Sequence, residues 1–337
     1  MDWGNPTRTL PAAGDLMEDG GMNTSSAIPD AARKVRLIGV PTDIGASMRG
    51  ASLGPEALRV AGLPEALMRL GLAVEDMGNL AGPVNTWQPP REGYRHLQES
   101  VAWNAAVHQA FHQSLSQGHM PLMLGGDHSL AVGSISAVAR HCAAQGRRLR
   151  VLWLDAHADF NTSTITPSGN LHGMPVAILC GHGPQSLVQM MQGAGGSLAP
   201  SVFRLLGIRS VDPQERAFVH AAGLEVFDMR HLDEHGMRAA VQQALIGLDD
   251  DDHLHVSFDV DFLDPDIAPG VGTPVRGGPT YREAQLCMEM IADSGRLGSL
   301  DVVELNPARD VQNRTAELVV DLVESLFGKS TLMRIRP

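Results

Sequence analysis

Three ionisable side chains, Asp155, His157 and Asp159, recur at every second position of WLDAHADFN (153–161), directly after an apolar run. A second set, Asp259 and Asp261, stands in SFDVDFLDP (257–265), and GGDHS (125–129) supplies Asp127 and His128. Strand side chains alternate between faces. Asp155, His157 and, if the extended path continues, Asp159 therefore share a direction, as do Asp259 and Asp261. Each residue alone has a plainer role. A lone Asp at a strand end forms a turn or caps a helix, the preferred reading for Asp127, Asp264 and Asp266; a lone His is usually a hydrogen-bonded core residue. Taken together, four carboxylates beside an apolar run would repel one another unless protonated or neutralised. Four Asp charges balance two divalent cations, and His128 and His157 complete a ligand set. Oxygen and imidazole ligands without sulfur suit Mn²⁺, with Fe, Co, Ni and Zn also compatible. Two such ions bridged by carboxylate and water would deliver hydroxide near neutral pH.

These residues need a scaffold that brings strand ends together. Apolar runs at 35–40, 121–126, 150–155, 203–210, 224–228, 255–261 and 299–306 read as seven buried strands. Helical spacing covers 55–70 (interrupted at Pro64), 95–117, 129–144, 237–248, 281–293 and 313–327, with a capping box from Thr280 to Glu283. The alternation predicts one α/β domain over residues 33–337, with a mostly parallel sheet between two helical layers. Ligands of such sheets bind beyond the carboxyl ends of the strands. Gly and Pro concentrate in 162–200 and 262–279, where long loops imply function. Residues 1–32 are rich in Gly, Pro, Ser, Asp and Asn and are predicted to form a flexible tail.

The 337-residue chain carries a net charge of −12. That balance argues against nucleic acid or an anionic membrane as partner and suits a cationic small molecule. No run approaches the roughly 20 apolar residues of a membrane span, and the N-terminus lacks the pattern of a signal peptide. Cys142, Cys180 and Cys287 are few and far apart, which predicts reduced thiols in a cytoplasmic protein rather than disulfides or a thiolate metal site.

GGDHS, DAHADFNT (155–162), SGNLHG (168–173), SFDVDFLDP with GVGTPVRGG (270–278), and DVVELNP (301–307) resemble, in order and spacing, the motifs of the arginase family of manganese ureohydrolases. The resemblance implies one α/β domain with an eight-stranded parallel sheet, two Mn²⁺ per subunit, and assembly as a homotrimer or homohexamer. It implies that L-arginine is hydrolysed to L-ornithine and urea by a hydroxide bridging the two ions. One ion would be held by His128, Asp155, Asp159 and Asp259, and the other by Asp155, His157, Asp259 and Asp261. His172 would shuttle protons, Asp159 would pass a proton to the leaving amine, and Glu304 would pair with the guanidinium. Asn161, Ser168 and Asn170 would bind the α-carboxylate, Asp212 the α-amino group, and Thr273 would line the guanidinium end.

The residues support several of these roles independently. Ser and Asn donate to carboxylates, and His transfers protons near neutral pH. Plainer alternatives stay open: a turn at 168–170, an ion pair of Glu304 with Arg309 or Arg314, and a turn or cap at Asp212. Ser210 stands where many arginases carry an acidic residue, two before the Asp of the VDP motif, which weakens the polar network near the α-amino group. The metal motifs do not separate arginine from agmatine, guanidinobutyrate or formiminoglutamate as substrate. A single-zinc deacetylase-like hydrolase and a non-catalytic metal-binding protein are the further alternatives.

Overall fold

Short runs of Val, Leu, Ile and Phe form most of eight strands: β1 Lys34–Gly39, β2 Ala73–Asn79, β3 Met120–Leu124, β4 Leu149–Leu154, β5 Phe203–Ile208, β6 Glu225–Asp228, β7 His253–Asp259 and β8 Leu297–Val303. They pair in the order β2-β1-β3-β8-β7-β4-β5-β6, every pair parallel. The computed structural model describes residues 33–86 and 88–330 together with Met1; the predicted tail, Met1 apart, lies outside the described residues.

Among the described residues, ten α-helices flank the strands: α1 Gly54–Val60, α2 Leu63–Arg69, α3 Leu97–Ser116, α4 Ala131–Gln145, α5 Pro175–Leu179, α6 Gln185–Val188, α7 Pro213–Ala222, α8 Met229–Leu245, α9 Tyr281–Ser294 and α10 Arg314–Leu326. Strand alternation divides the core between the two faces. Leu152 and Leu154 pack with residues of α1, α2, α8, α9 and α10, whereas Val151 and Trp153 pack with α4 and α5. The result is the expected three-layer α/β/α architecture.

The structure adds a strand to the seven expected: β2, an edge strand of half-buried and exposed residues (AVEDMGN) with no apolar alternation. The helical stretch 55–70 is divided by Gly62, in the left-handed region at φ 82°, and not by Pro64, which sits in the first turn of α2. The segment 162–200 holds α5, α6 and short 3-10 turns in place of one long loop. β4 and β7 end at Leu154 and Asp259, short of the predicted ends, so most of the candidate ligands lie just past the strands.

A buried polar column lies between α4 and the sheet centre. Ser134 Oγ donates to Asp301 Oδ2 at 2.5 Å, His255 Nε2 lies 3.1 Å from the same oxygen, and Ser299 Oγ contacts His255 Nδ1 at 2.8 Å and His253 Nε2 at 2.9 Å. Below the motif GGDHS, a Cβ on Gly126 would stand 1.6 Å from the Thr42 carbonyl oxygen. Only glycine allows that approach, which sets His128 at the carboxyl end of β3.

Candidate metal centre

His128 opens a 3-10 turn directly after β3, and Asp127 caps that turn by accepting from the Ser129 N–H at 3.0 Å. Asp264 likewise forms a turn, accepting from the N–H groups of Asp266, Gly277 and Gly278. Both therefore follow the plainer reading. The six candidate ligands converge. His128 Nδ1 lies 3.0 Å from Asp155 Oδ2, 3.3 Å from Asp159 Oδ2 and 3.1 Å from Asp259 Oδ2. His157 Nδ1 lies 3.4 Å from Asp155 Oδ1 and 3.1 Å from Asp261 Oδ2. Two groups result, His128–Asp155–Asp259 and Asp155–His157–Asp261, which share Asp155 between its two oxygens.

Backbone turns rather than strand periodicity produce this convergence. Asp159 adopts φ 49°, so the extended path does not continue and its carboxylate swings toward His128. Asp261 lies in a 3-10 turn over Val260–Phe262, where its N–H donates to Asp259 Oδ1 at 2.7 Å. Its carboxylate takes the Ala156 N–H at 3.2 Å and the Thr273 hydroxyl at 3.0 Å. Glu304, at φ 63°, also bends back past the end of β8. A non-glycine residue in this region costs of order 1–3 kcal/mol and persists where the surroundings over-determine it.

The donor set fits divalent cations. His128 Nδ1 is buried and makes no hydrogen bond, although three carboxylate oxygens lie within 3.3 Å. The oxygens crowd around the nitrogen off the N–H direction, as ligands of a common ion do. The ring's other nitrogen contacts Ser257 Oγ at 2.9 Å, which fixes its orientation. Trp153 stacks on the ring with centroids 3.9 Å apart, and its indole N–H donates to Asp155 Oδ2 at 2.9 Å.

Electrostatics point the same way. Burial and then the neighbouring Asp155 charge push Asp159 up to about 7. Burial, Asp261 and Asp155 hold Asp259 well above the carboxylate range. Burial alone would lower His128 and His157, but the surrounding carboxylates hold both well above the ordinary imidazole value. At neutral pH the site therefore holds protons that cations must displace. Adding Mn²⁺ to stripped protein in weak buffer at pH 7 is expected to release protons, and affinity should rise between pH 6 and 8. Calorimetry in buffers of different ionisation enthalpy reads both effects; uptake without proton release would contradict this account.

His128, His157, Asp159, Asp259, Thr273, Asn161, His172 and Asp212 line one pocket of about 110 Å³, with Ser210 and Glu215. His172 Nδ1 lies 2.9 Å from Glu304 Oε1, which also accepts the His128 N–H at 2.9 Å. Glu304 thus has these partners in place of Arg309 or Arg314. Ser168 and Asn170 stand outside the lining: Ser168 Oγ accepts the Asn170 N–H, and Asn170 Oδ1 accepts the Ser47 hydroxyl at 2.8 Å. Asp212 caps α7 in a capping box with Glu215 and accepts from Asn161 Nδ2 at 3.4 Å. Glu215, whose other oxygen takes the Phe160 N–H at 2.9 Å, was missed in the sequence, as were Ser257, Trp153 and Ser47. The DPQE spacing after Val211 was the available signal for Glu215.

The sequence profile described as Arginase family matches residues 33–328. A curated arginase of Brucella melitensis biotype 1 is 45% identical over 301 residues, covering 89% of this chain and 97% of its own. The arginase of Bacillus subtilis strain 168 is 40% identical over 301 residues, covering 89% and 99%. A solved arginase from Bacillus caldovelox superposes with a TM-score of 0.83 at 40% identity, over 89% of this chain and all of that one. Matched by that profile over residues 33–328 and alike along nearly the whole of each relative, this chain belongs to the arginase family.

Proposed function

We propose that the protein hydrolyses L-arginine to L-ornithine and urea at a pair of divalent cations, Mn²⁺ by ligand character. His128, Asp155, Asp159 and Asp259 would hold one; Asp155, His157, Asp259 and Asp261 would hold the other. The observation that carries the reading is His128 Nδ1, buried and unbonded among three carboxylate oxygens. Cations held there would lower the pKa of water and supply a nucleophile near neutral pH. The side chains do the rest. Glu304 pairs with the guanidinium and fixes its carbon against the attacking water. Asp212, Asn161, Ser168 and Asn170 hold the α-amino and α-carboxylate groups, and Thr273 steadies Asp261 beside the guanidinium. As the bond from carbon to the δ-nitrogen breaks, Asp159 hands the proton taken from water to the leaving amine. His172 carries the surplus proton to solvent.

Side-by-side assays of urea release from arginine and agmatine test this reading together with elemental analysis. Arginine is expected to be strongly preferred. Replacing Asn170 by Ala should raise the KM for arginine roughly tenfold, the value of about 1.4 kcal/mol for one lost charge-assisted contact, and leave agmatine unaffected. Equal rates on both substrates would assign the protein to an agmatine-type ureohydrolase, and a metal-to-protein ratio near one would favour a single-zinc deacetylase. Family membership supports a homotrimer or homohexamer, readable by light scattering. The free Cys142, Cys180 and Cys287 support a reducing, cytoplasmic compartment.

A further inference from the structure

The opposite end of the sheet carries a second cavity, of about 280 Å³, at the amino ends of β1, β3, β7 and β8. Arg33, Lys34, Arg147 and Arg296 line it, with Asp250 and Asp252 the only carboxylates of its lining among the described residues. Both carboxylates are engaged: Asp250 pairs with Arg296, and Asp252 with Arg148 at 2.7 Å. Arg147 donates to main-chain oxygens, those of Asp251 at 2.7 Å and Asp252 at 2.9 Å, and makes no ion pair with a carboxylate among the described residues. Arg33 and Lys34 are exposed and make no ion pair with a carboxylate among the described residues. Three positive charges thus face one cavity on a chain of net charge −12.

Histidines stand between them. His253, 3% exposed, lines the cavity with its Nε2 turned to Ser299 at 2.9 Å. Its ring packs flat on Gly298, where a Cβ would stand 2.4 Å from it. His119 lines the cavity as well. Its Nε2 lies 3.3 Å from Glu75, and its buried Nδ1 has no hydrogen-bond partner.

We propose that this cavity is a binding site for a small polyanion carrying two or more phosphate groups, held by Arg33, Lys34 and Arg147. Planar guanidinium groups match phosphate oxygens in pairs, and three cations match a ligand of about three negative charges. Nothing in the cavity belongs to the metal centre, so the proposal stands apart from the hydrolytic reading.

Inorganic pyrophosphate is the probe, titrated by calorimetry into the metal-loaded, full-length protein. One binding event per chain is expected, weakening at 0.5 M salt because exposed charges are screened. The double variant Arg33→Gln/Arg147→Gln should lose at least tenfold in affinity while releasing urea from arginine at the wild-type rate in the absence of pyrophosphate. Arg33→Glu guards against a folding defect at Arg147 and should show the same loss. Pyrophosphate also chelates metal and could seat at the metal centre. Binding that survives unchanged in the double variant, or that abolishes urea release in proportion to occupancy, would overturn the proposal. So would the absence of any binding to the wild type.

Discussion

Replacing Asp259 by Ala is expected to empty the metal centre and to lower urea release by roughly 10³-fold or more. That figure follows from losing several kcal/mol of charge stabilisation at about 1.4 kcal/mol per factor of ten. Asp259 serves the site twice. Its Oδ2 lies 3.1 Å from His128 Nδ1, and its Oδ1 accepts the Asp261 N–H, which orders the turn carrying the next ligand. Alanine removes a ligand and loosens a second. Elemental analysis of the purified variant checks the metal, and a urea assay at saturating Mn²⁺ checks the rate. Folding should survive, because deleting one of four crowded carboxylates relieves repulsion in the stripped protein. A variant that kept its metal and full activity would sink the assignment of the site.

His172→Asn is expected to spare the metals and slow turnover about 10²-fold or more, the usual worth of a positioned acid–base group. The His172 side chain is 16% exposed and spans from Glu304 toward the pocket. Burial alone would lower its pKa, but the Glu304 carboxylate raises it to about 9. Burial raises Glu304 in turn, and His172 brings it below its ordinary value. The signs fix the pH dependence of the stripped protein. A raised His pKa adds stability that is complete below about 6.5 and lost as pH climbs through 9; a depressed Glu pKa adds stability that is lost as pH falls below its ordinary range. Wild type should therefore lose stability between pH 6.5 and 9, and His172→Asn should lose less. Denaturant titrations at three pH values read the difference. A guanidinium arriving at Glu304 would share the charge that raises His172 and bring its pKa toward neutrality. The variant's rate should then also flatten against pH between 7 and 9, and an unchanged rate would end the shuttle role.

Much of this was legible in the chain because parallel strands buried on both faces leave continuous apolar runs. The runs before His128, Asp155, Asp259 and Glu304 are of this kind, so the architecture and the end of the sheet carrying the chemistry could be read. The exact paths of those residues could not. The left-handed turns at Asp159 and Glu304 carry no glycine to announce them, and period-two reasoning extended β4 and β7 past their ends. β2 escaped because an edge strand half in solvent needs no apolar pattern. Glu215, Ser257 and Ser47 escaped because their partners lie 55, 129 and 123 residues away in sequence.

The strand order also governs when the enzyme can exist during synthesis. β8, which follows the other seven described strands in sequence, sits between β3 and β7, so a nascent chain ending before residue 297 has two half-sheets, β2-β1-β3 and β7-β4-β5-β6, with no seam joining them. Residues 125–296 must be made after β3 before that gap can close, which takes on the order of 10 s or more at about 5–20 residues per second. Assembly of the metal centre then waits for β8, and a chain cut before residue 297 would lack the strand that joins the β3 end carrying His128 to the half-sheet carrying Asp155.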